Sequence, residues 1–99
     1  MKIVKPRSLQ VTGLAWYKPT QWKRLLEISA DSQKLQRTYV QWAETATRKF
    51  NEMIRANIPV QRVDVDVEDL FHWCQRKGVA VIENSRSSYV AEKLREEYP

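Results

Sequence analysis

The longest regular pattern of apolar positions runs from Gln33 to Ala56, where apolar residues recur every three or four positions. Between these positions the chain is polar and largely basic. This period belongs to an α-helix with one buried face. At about 1.5 Å per residue, such a helix is roughly 36 Å long, which is close to the diameter of a small domain. The pattern therefore predicts a long helix around which the rest of the chain is organised. Its apolar stripe consists of Leu35, Tyr39, Trp42, Ala43, Ala46, Phe50, Met53 and Ile54.

A shorter helix is predicted before it, over residues 19–29. Pro19 suits the first position of a helix, where its missing N–H has no cost, and three apolar residues follow at helical spacing. Asp31 or Ser32 is expected to cap the long helix that follows. Because only a few residues separate the two helices, they are expected to form an antiparallel hairpin.

The strongest local signals predict a third helix between Asp66 and Gly78. Asp66 is a good N-cap, acidic residues follow it, and basic residues precede Gly78. Gly78 supplies the left-handed residue that ends many helices. A fourth helix is predicted over residues 86–97, with Ser85 as its cap.

The remaining segments suggest short extended pieces. Residues 60–66 alternate apolar and charged positions, after a helix end at Asn57. Residues 9–12 also alternate, which predicts a minor strand that Gly13 interrupts. Residues 79–82 are read as a short strand or a buried connection. A parallel pairing of residues 79–82 with residues 60–66 is considered, although the crossover would be short.

Together these elements predict a mainly α fold, a single small four-helix domain over residues 9–99 that follows a basic arm at residues 1–8. Phe50→Ala is expected to cost about 3–5 kcal/mol, as for a core ring. The expected interior consists of Trp22, Leu25, Leu26, Leu35, Tyr39, Trp42, Ala46, Phe50, Ile54, Val63, Val65, Leu70, Phe71, Cys74, Val90 and Leu94.

Composition supports one globular domain. The chain has 99 residues, of which 42% are hydrophobic, and it has one cysteine, Cys74. A single cysteine rules out an intramolecular disulfide and a multi-cysteine zinc site, and it suits a reducing compartment. No signal peptide is recognised and apolar runs reach only four residues, so no membrane association and a cytoplasmic location are expected.

Charge is unevenly distributed along the chain. Residues 1–30 hold six basic residues and one acidic residue, whereas residues 59–99 hold six basic and eight acidic residues. A basic end can bind a polyanion, although a solvated surface, with the acids used as helix caps, is the favoured interpretation. If it binds nucleic acid, the candidate contacts are Lys2, Lys5, Arg7, Lys18, Lys23 and Arg24.

No catalytic residues, cofactor site or metal site are expected. His72 and Cys74 are two residues apart on a helix and therefore point to different sides, so they cannot act as a pair. His72 is expected at the surface and Cys74 in the core. Asp64 and Asp66 would share one face of a strand, close to further acids, and could hold Mg²⁺ or Ca²⁺. Helix capping and dipole interactions explain the same acids, and this second interpretation is favoured.

Three stretches and the chain's ending resemble a group of small uncharacterised bacterial proteins with no assigned activity. The stretches are Trp16 to Asp31, Tyr39 to Trp42 and Val63 to Cys74, and the ending is Tyr89 to Leu94. The resemblance covers about residues 16–95. It implies a bacterial, cytoplasmic protein and brings no site residues.

These patterns favour two functions. The first is a non-enzymatic interaction module that docks on another protein or on itself. Trp16 and Tyr17 are its candidate contact aromatics, because not every ring of the chain is expected to fit in the core. The alternative is a nucleic-acid-binding accessory protein that uses the basic amino-terminal third. An enzyme that uses the carboxylates of residues 64–69 is a more distant hypothesis.

Overall fold

A computed structural model describes residues 11–97, and these residues form four α-helices and a two-stranded sheet. The predicted mainly α class is therefore confirmed. Short 3₁₀ turns lie at Pro19–Gln21 and Ser32–Lys34. In chain order the elements are β1 (Thr12–Trp16), α1 (Trp22–Ile28), α2 (Tyr39–Arg55), β2 (Val60–Asp64), α3 (Val67–Lys77) and α4 (Glu83–Glu97).

The two strands are parallel and in register, with Thr12 opposite Val60 and Trp16 opposite Asp64. Parallel neighbours need a long crossover, and here α1 and α2 supply it. The minor strand predicted at residues 9–12 is misplaced, since β1 runs from Thr12 to Trp16 with Gly13 inside it. Residues 9 and 10 lie outside the described part of the chain.

Gly13 lets α4 approach β1 closely. A Cβ atom at this position would lie 2.8 Å from Cγ1 of Val90 and 3.2 Å from Cγ2 of Val63. Real side chains do not tolerate such contacts without a shift of the neighbours. The glycine that was expected to end a strand is therefore the residue that allows a helix to pack on it.

The core lies between the strands, α1, α3 and α4, and not around α2. No residue of α2 is fully buried, and Ile54, which was expected inside, is 51% exposed. Leu35, Tyr39, Trp42, Ala46 and Phe50 are only half-buried. The prediction that the chain is organised around the long helix is therefore wrong, because α2 packs on the edge of the domain. The buried apolar residues are Tyr17, Trp22, Leu25, Val63, Val65, Val67, Leu70, Trp73, Cys74, Val81, Tyr89, Val90 and Leu94.

The long helix begins later than predicted. Thr38 is its N-cap, its hydroxyl accepts from the N–H of Gln41 at 3.1 Å, and the Gln41 side chain accepts from the N–H of Thr38. This reciprocal pair of bonds is a capping box. The expected caps, Asp31 and Ser32, do not serve this helix because the chain from 32 to 38 forms a 3₁₀ turn and an irregular link.

The third helix matches its prediction. The side chain of Asp66 accepts from the N–H of Asp69 at 3.1 Å, and Gly78 ends the helix at φ 70°. Asn57 is also left-handed, with φ 60°, as expected at the end of α2. The fourth helix starts at Glu83, so Ser85 is not its cap. Instead the Ser85 hydroxyl accepts from the N–H of Ile82 at 2.9 Å, within the first turn.

The two other extended segments differ from expectation. β2 ends at Asp64, and its partner is β1 instead of residues 79–82. Val81 instead forms an isolated parallel bridge with Ser29, and the N–H of Ala30 donates to its carbonyl at 2.8 Å. The bridge ties the end of α1 to the segment that leads into α4.

Candidate functional site

One edge of β1 has no backbone partner among residues 11–97, and we call it the free edge. The N–H of Thr12 donates to the carbonyl of Pro59, and the carbonyl of Trp16 accepts from Val65, both at 3.0 Å. In a parallel pair alternate residues direct their backbone groups to the same side. Gly13 and Ala15 therefore direct theirs away from β2, where no described residue bonds them. An edge of this kind can pair with another strand.

This free edge lies in a groove with a volume of about 430 Å³. One wall is α2, which contributes the stripe of Trp42, Thr45, Ala46 and Lys49. The other wall is α4, and residues 31–36 line the end of the groove near Tyr17. The lining residues are Gly13, Leu14, Ala15, Tyr17, Trp22, Asp31, Lys34, Leu35, Gln36, Trp42, Thr45, Ala46, Lys49, Glu83, Arg86, Ser87 and Val90.

A buried ion pair forms part of the groove at the Tyr17 end. The Nη1 atom of Arg86 donates to Oδ1 of Asp31 at 2.8 Å, and its Nη2 atom donates to Oδ2 at 2.9 Å. Nη1 also donates to the hydroxyl of Ser29 at 3.2 Å. The hydrogen bonds from Arg86 are the main reason that the pKa of Asp31 lies below its usual range. Both side chains are thereby fixed in one orientation.

Two further donors at this end have no partner among residues 11–97. The hydroxyl of Tyr17 makes no hydrogen bond to a described residue, although the side chain is only 5% exposed. Burial raises the pKa of Tyr17 to about 12, which the nearby Arg86 charge partly offsets. Lys34 is exposed and makes no ion pair with a described residue. The phenol is therefore protonated at neutral pH and available as a donor.

The α2 wall is attached to the strands by aromatic rings. The ring of Trp42 lies 5.3 Å from those of Trp16 and Tyr17, and 5.4 Å from those of Trp22 and Tyr39. These distances are typical of favourable ring pairs. The cluster holds the first half of α2 beside the groove.

The two aromatic residues proposed as contacts belong to this packing. Tyr17 is buried, and Trp16 is half-buried beneath the guanidinium of Arg62, whose carbon lies 4.4 Å from the ring centroid. Neither ring is a freely exposed surface patch. Tyr17 is nevertheless one of the residues that line the groove.

The structure does not gather the proposed basic contacts into one described site. Lys2, Lys5 and Arg7 lie outside the described residues. Lys18 and Lys23 are exposed. Arg24 is engaged instead, because its Nε atom donates to Oε2 of Glu68 at 2.6 Å and its guanidinium lies over the Phe71 ring.

The acidic residues of 64–69 are mostly occupied by structural contacts. Asp66 caps α3, and Glu68 pairs with Arg24. Asp69 accepts from the Tyr89 hydroxyl at 2.6 Å and lies 3.4 Å from Nζ of Lys93. Asp64 is exposed. Among residues 11–97 no group of three potential ligands is placed to hold a metal ion.

Sequence reasoning missed the groove. Asp31 was assigned to a helix cap, and the candidate site residues did not include Arg86, Lys34 or Lys49. A weak signal was present in the alternation near β1, but only the pairing with β2 reveals which side of the strand is free. His72 is exposed and Cys74 is buried, as expected.

Comparisons with other proteins give no further guide to this site. No family model, curated protein or solved structure matches the chain. Within the described residues, no helix has both the length and the apolar character that crossing a bilayer requires.

Proposed function

We propose that this protein is a non-enzymatic interaction module that binds another polypeptide, taking an extended segment of that partner as a third strand beside β1. The observation that carries the proposal is the free edge at Gly13 and Ala15 inside a groove. Strand addition to an open edge is a recurring way to bind peptides, since backbone bonds give affinity without requiring a particular sequence.

The walls of the groove suit an extended occupant. Side chains of an added strand alternate between the two faces of the sheet. On one side they would meet the α2 stripe, which includes Trp42 and Ala46. On the other side they would meet α4, which presents Ser87 and Val90. Because the α2 and α4 walls differ in character, they would favour different side chains on the two faces of the added strand.

The experiment that tests this proposal measures binding of the full chain to an immobilised array of random peptides about ten residues long, the upper range of strand lengths. Ala46→Arg places a long side chain in the groove. Thr47→Arg adds the same charge at the next residue of α2, which is exposed and does not line the groove. Circular dichroism checks that both variants keep their helices.

Ala46→Arg should lower the affinity for retained peptides at least about tenfold, equivalent to 1.4 kcal/mol. Thr47→Arg should leave it unchanged. Equal binding by the two variants, or no retained peptide, would contradict the proposal.

A second copy of the chain is the other occupant that the groove could take. Light scattering at several protein concentrations distinguishes this case. If the mass doubles as concentration rises, and Ala46→Arg returns it to the monomer value, the occupant of the groove is a second copy of the chain instead of another protein.

A further inference from the structure

We infer that the groove recognises the carboxyl-terminal end of its partner, with the terminal carboxylate bound by Arg86, Tyr17 and Lys34 at the end of the groove near Tyr17. This inference rests on the proposed function and specifies which part of a polypeptide the groove takes. It is carried by the donors at that end and by the position of residues 31–36.

Arg86 offers donors that are already oriented. Its two bonds to Asp31 and one to Ser29 use Nη1 fully and Nη2 once. A guanidinium has five N–H groups, so the Nε hydrogen and one Nη2 hydrogen remain. No described residue accepts them. Since the Arg86 side chain is only 10% exposed and is held by the ion pair, these donors lose little freedom when a ligand binds.

Tyr17 adds a neutral donor beside the ion pair. Its hydroxyl lies close enough to both Arg86 and Asp31 for each charge to act on it, and no described residue hydrogen-bonds it. The residue is buried, but its hydroxyl oxygen is not among the fully enclosed atoms without a partner, so it is accessible from the groove. A carboxylate oxygen at this end of the groove would accept a hydrogen bond from it.

The charge of the groove favours an anion. The charges of Asp31 and Arg86 neutralise each other. This leaves Lys34 and Lys49 as cations against the single carboxylate of Glu83. Neither lysine makes an ion pair with a described residue, so both are available to a ligand.

The shape of the groove indicates a chain terminus instead of an acidic side chain within a chain. A strand bonded to Gly13 and Ala15 that continues past Tyr17 meets residues 31–36, which line that end. The occupant would therefore stop there. An amino terminus would bring positive charge to Arg86 and Lys34, whereas a carboxyl terminus brings a carboxylate. The added strand would then run parallel to β1.

The test compares two arrays of identical random peptides anchored by their amino ends, one with free terminal carboxylates and one with terminal amides. Affinities of retained peptides are then measured in solution by tryptophan fluorescence, because Trp22 and Trp42 line the groove. Tyr17→Phe removes only the hydroxyl, and Lys34→Gln removes only an exposed charge. Arg48→Gln is the matched control, since Arg48 is exposed on α2 and does not line the groove.

Free-acid peptides should bind at least about tenfold more tightly than their amides. Tyr17→Phe and Lys34→Gln should each lower the affinity for free-acid peptides severalfold and leave the affinity for the amides unchanged. Arg48→Gln should alter neither affinity. Equal binding of acid and amide overturns this inference and leaves the proposed function standing. Retention that depends on an internal Asp or Glu also overturns it. If neither array retains a peptide, both proposals fail.

Discussion

Arg86 and Asp31 are 55 residues apart in sequence, yet they form a two-pronged ion pair with N···O distances of 2.8 Å and 2.9 Å. Each residue is less than 10% exposed. Asp31 also accepts from the N–H of Glu83 at 3.0 Å. The pair therefore joins the link after α1 to the first turn of α4, and it fixes the end of the groove.

Removing one partner of this pair should destabilise the fold strongly. Arg86→Met keeps the bulk of the side chain but leaves a buried carboxylate without its cation, so we expect a loss of about 3–5 kcal/mol in the free energy of unfolding. Urea denaturation measures this loss. Glu68→Gln, which breaks the exposed pair with Arg24, is the control and should cause only a small change. A comparable loss in both variants would contradict the special role of the buried pair.

Stability should fall in acid because the carboxyl groups of Asp31 and Asp69 have lowered pKa values. Bonds from Arg86 lower the pKa of Asp31, and the bond from the Tyr89 hydroxyl is the main cause for Asp69. A carboxyl group whose pKa is lowered in the folded state binds protons less tightly there than in the unfolded chain. Such a group therefore stabilises the fold above the ordinary aspartate pKa of about 4, and this stabilisation is lost as pH falls through the lowered values.

Urea midpoints measured from about pH 6 down to about pH 3 check this acid dependence. Tyr89→Phe keeps the ring but removes the bond to Asp69, so its stability should change less with pH in this range. A wild-type midpoint that stays constant across the range would count against the prediction.

Gly13 should resist replacement even by alanine. The added Cβ would lie 2.8 Å from Val90, and overpacking of this kind costs about 1–3 kcal/mol. Thermal or urea unfolding of Gly13→Ala measures the cost. Val90→Ala combined with Gly13→Ala should cost less than the sum of the single changes, because the clash disappears. Strict additivity would show that the two positions do not interact.

Leu70→Ala should destabilise the protein more than Phe50→Ala, although phenylalanine is the larger side chain. Leu70 is 0% exposed, so its truncation should cost about 2–5 kcal/mol. Phe50 is half-buried on α2, so Phe50→Ala should lower the free energy of unfolding by less than about 3 kcal/mol, the lower limit for fully buried rings. Unfolding curves of the two variants decide the order. The reverse order would place α2 back at the centre of the core.

Local structure was well predicted wherever its cause is local. Asp66 and Gly78 mark the ends of α3 because capping and a left-handed turn depend only on nearby residues. Asn57 was identified for the same reason. The start of α2 was misjudged since Asp31, Ser32 and Thr38 are all acceptable caps, and only the reciprocal bonds of Thr38 and Gln41 decide between them.

Burial and the site could not be predicted in the same way. An apolar stripe shows which face of a helix turns inward, but not how completely other elements cover it, so α2 was given too large a share of the core. Trp73 was not among the expected interior residues, yet it is buried, with its indole N–H donating to Glu92 at 3.2 Å.

The amino-acid sequence by itself determined the helical class, the caps of α3 and the burial of Cys74, because periodicity and capping act over a few residues. Only the folded structure reveals that β1 pairs with β2, that Arg86 reaches Asp31, and that no residue among 11–97 bonds the outer edge of β1. Those features join residues tens of positions apart. They depend on which surfaces meet when the chain closes, and a one-dimensional pattern does not record that.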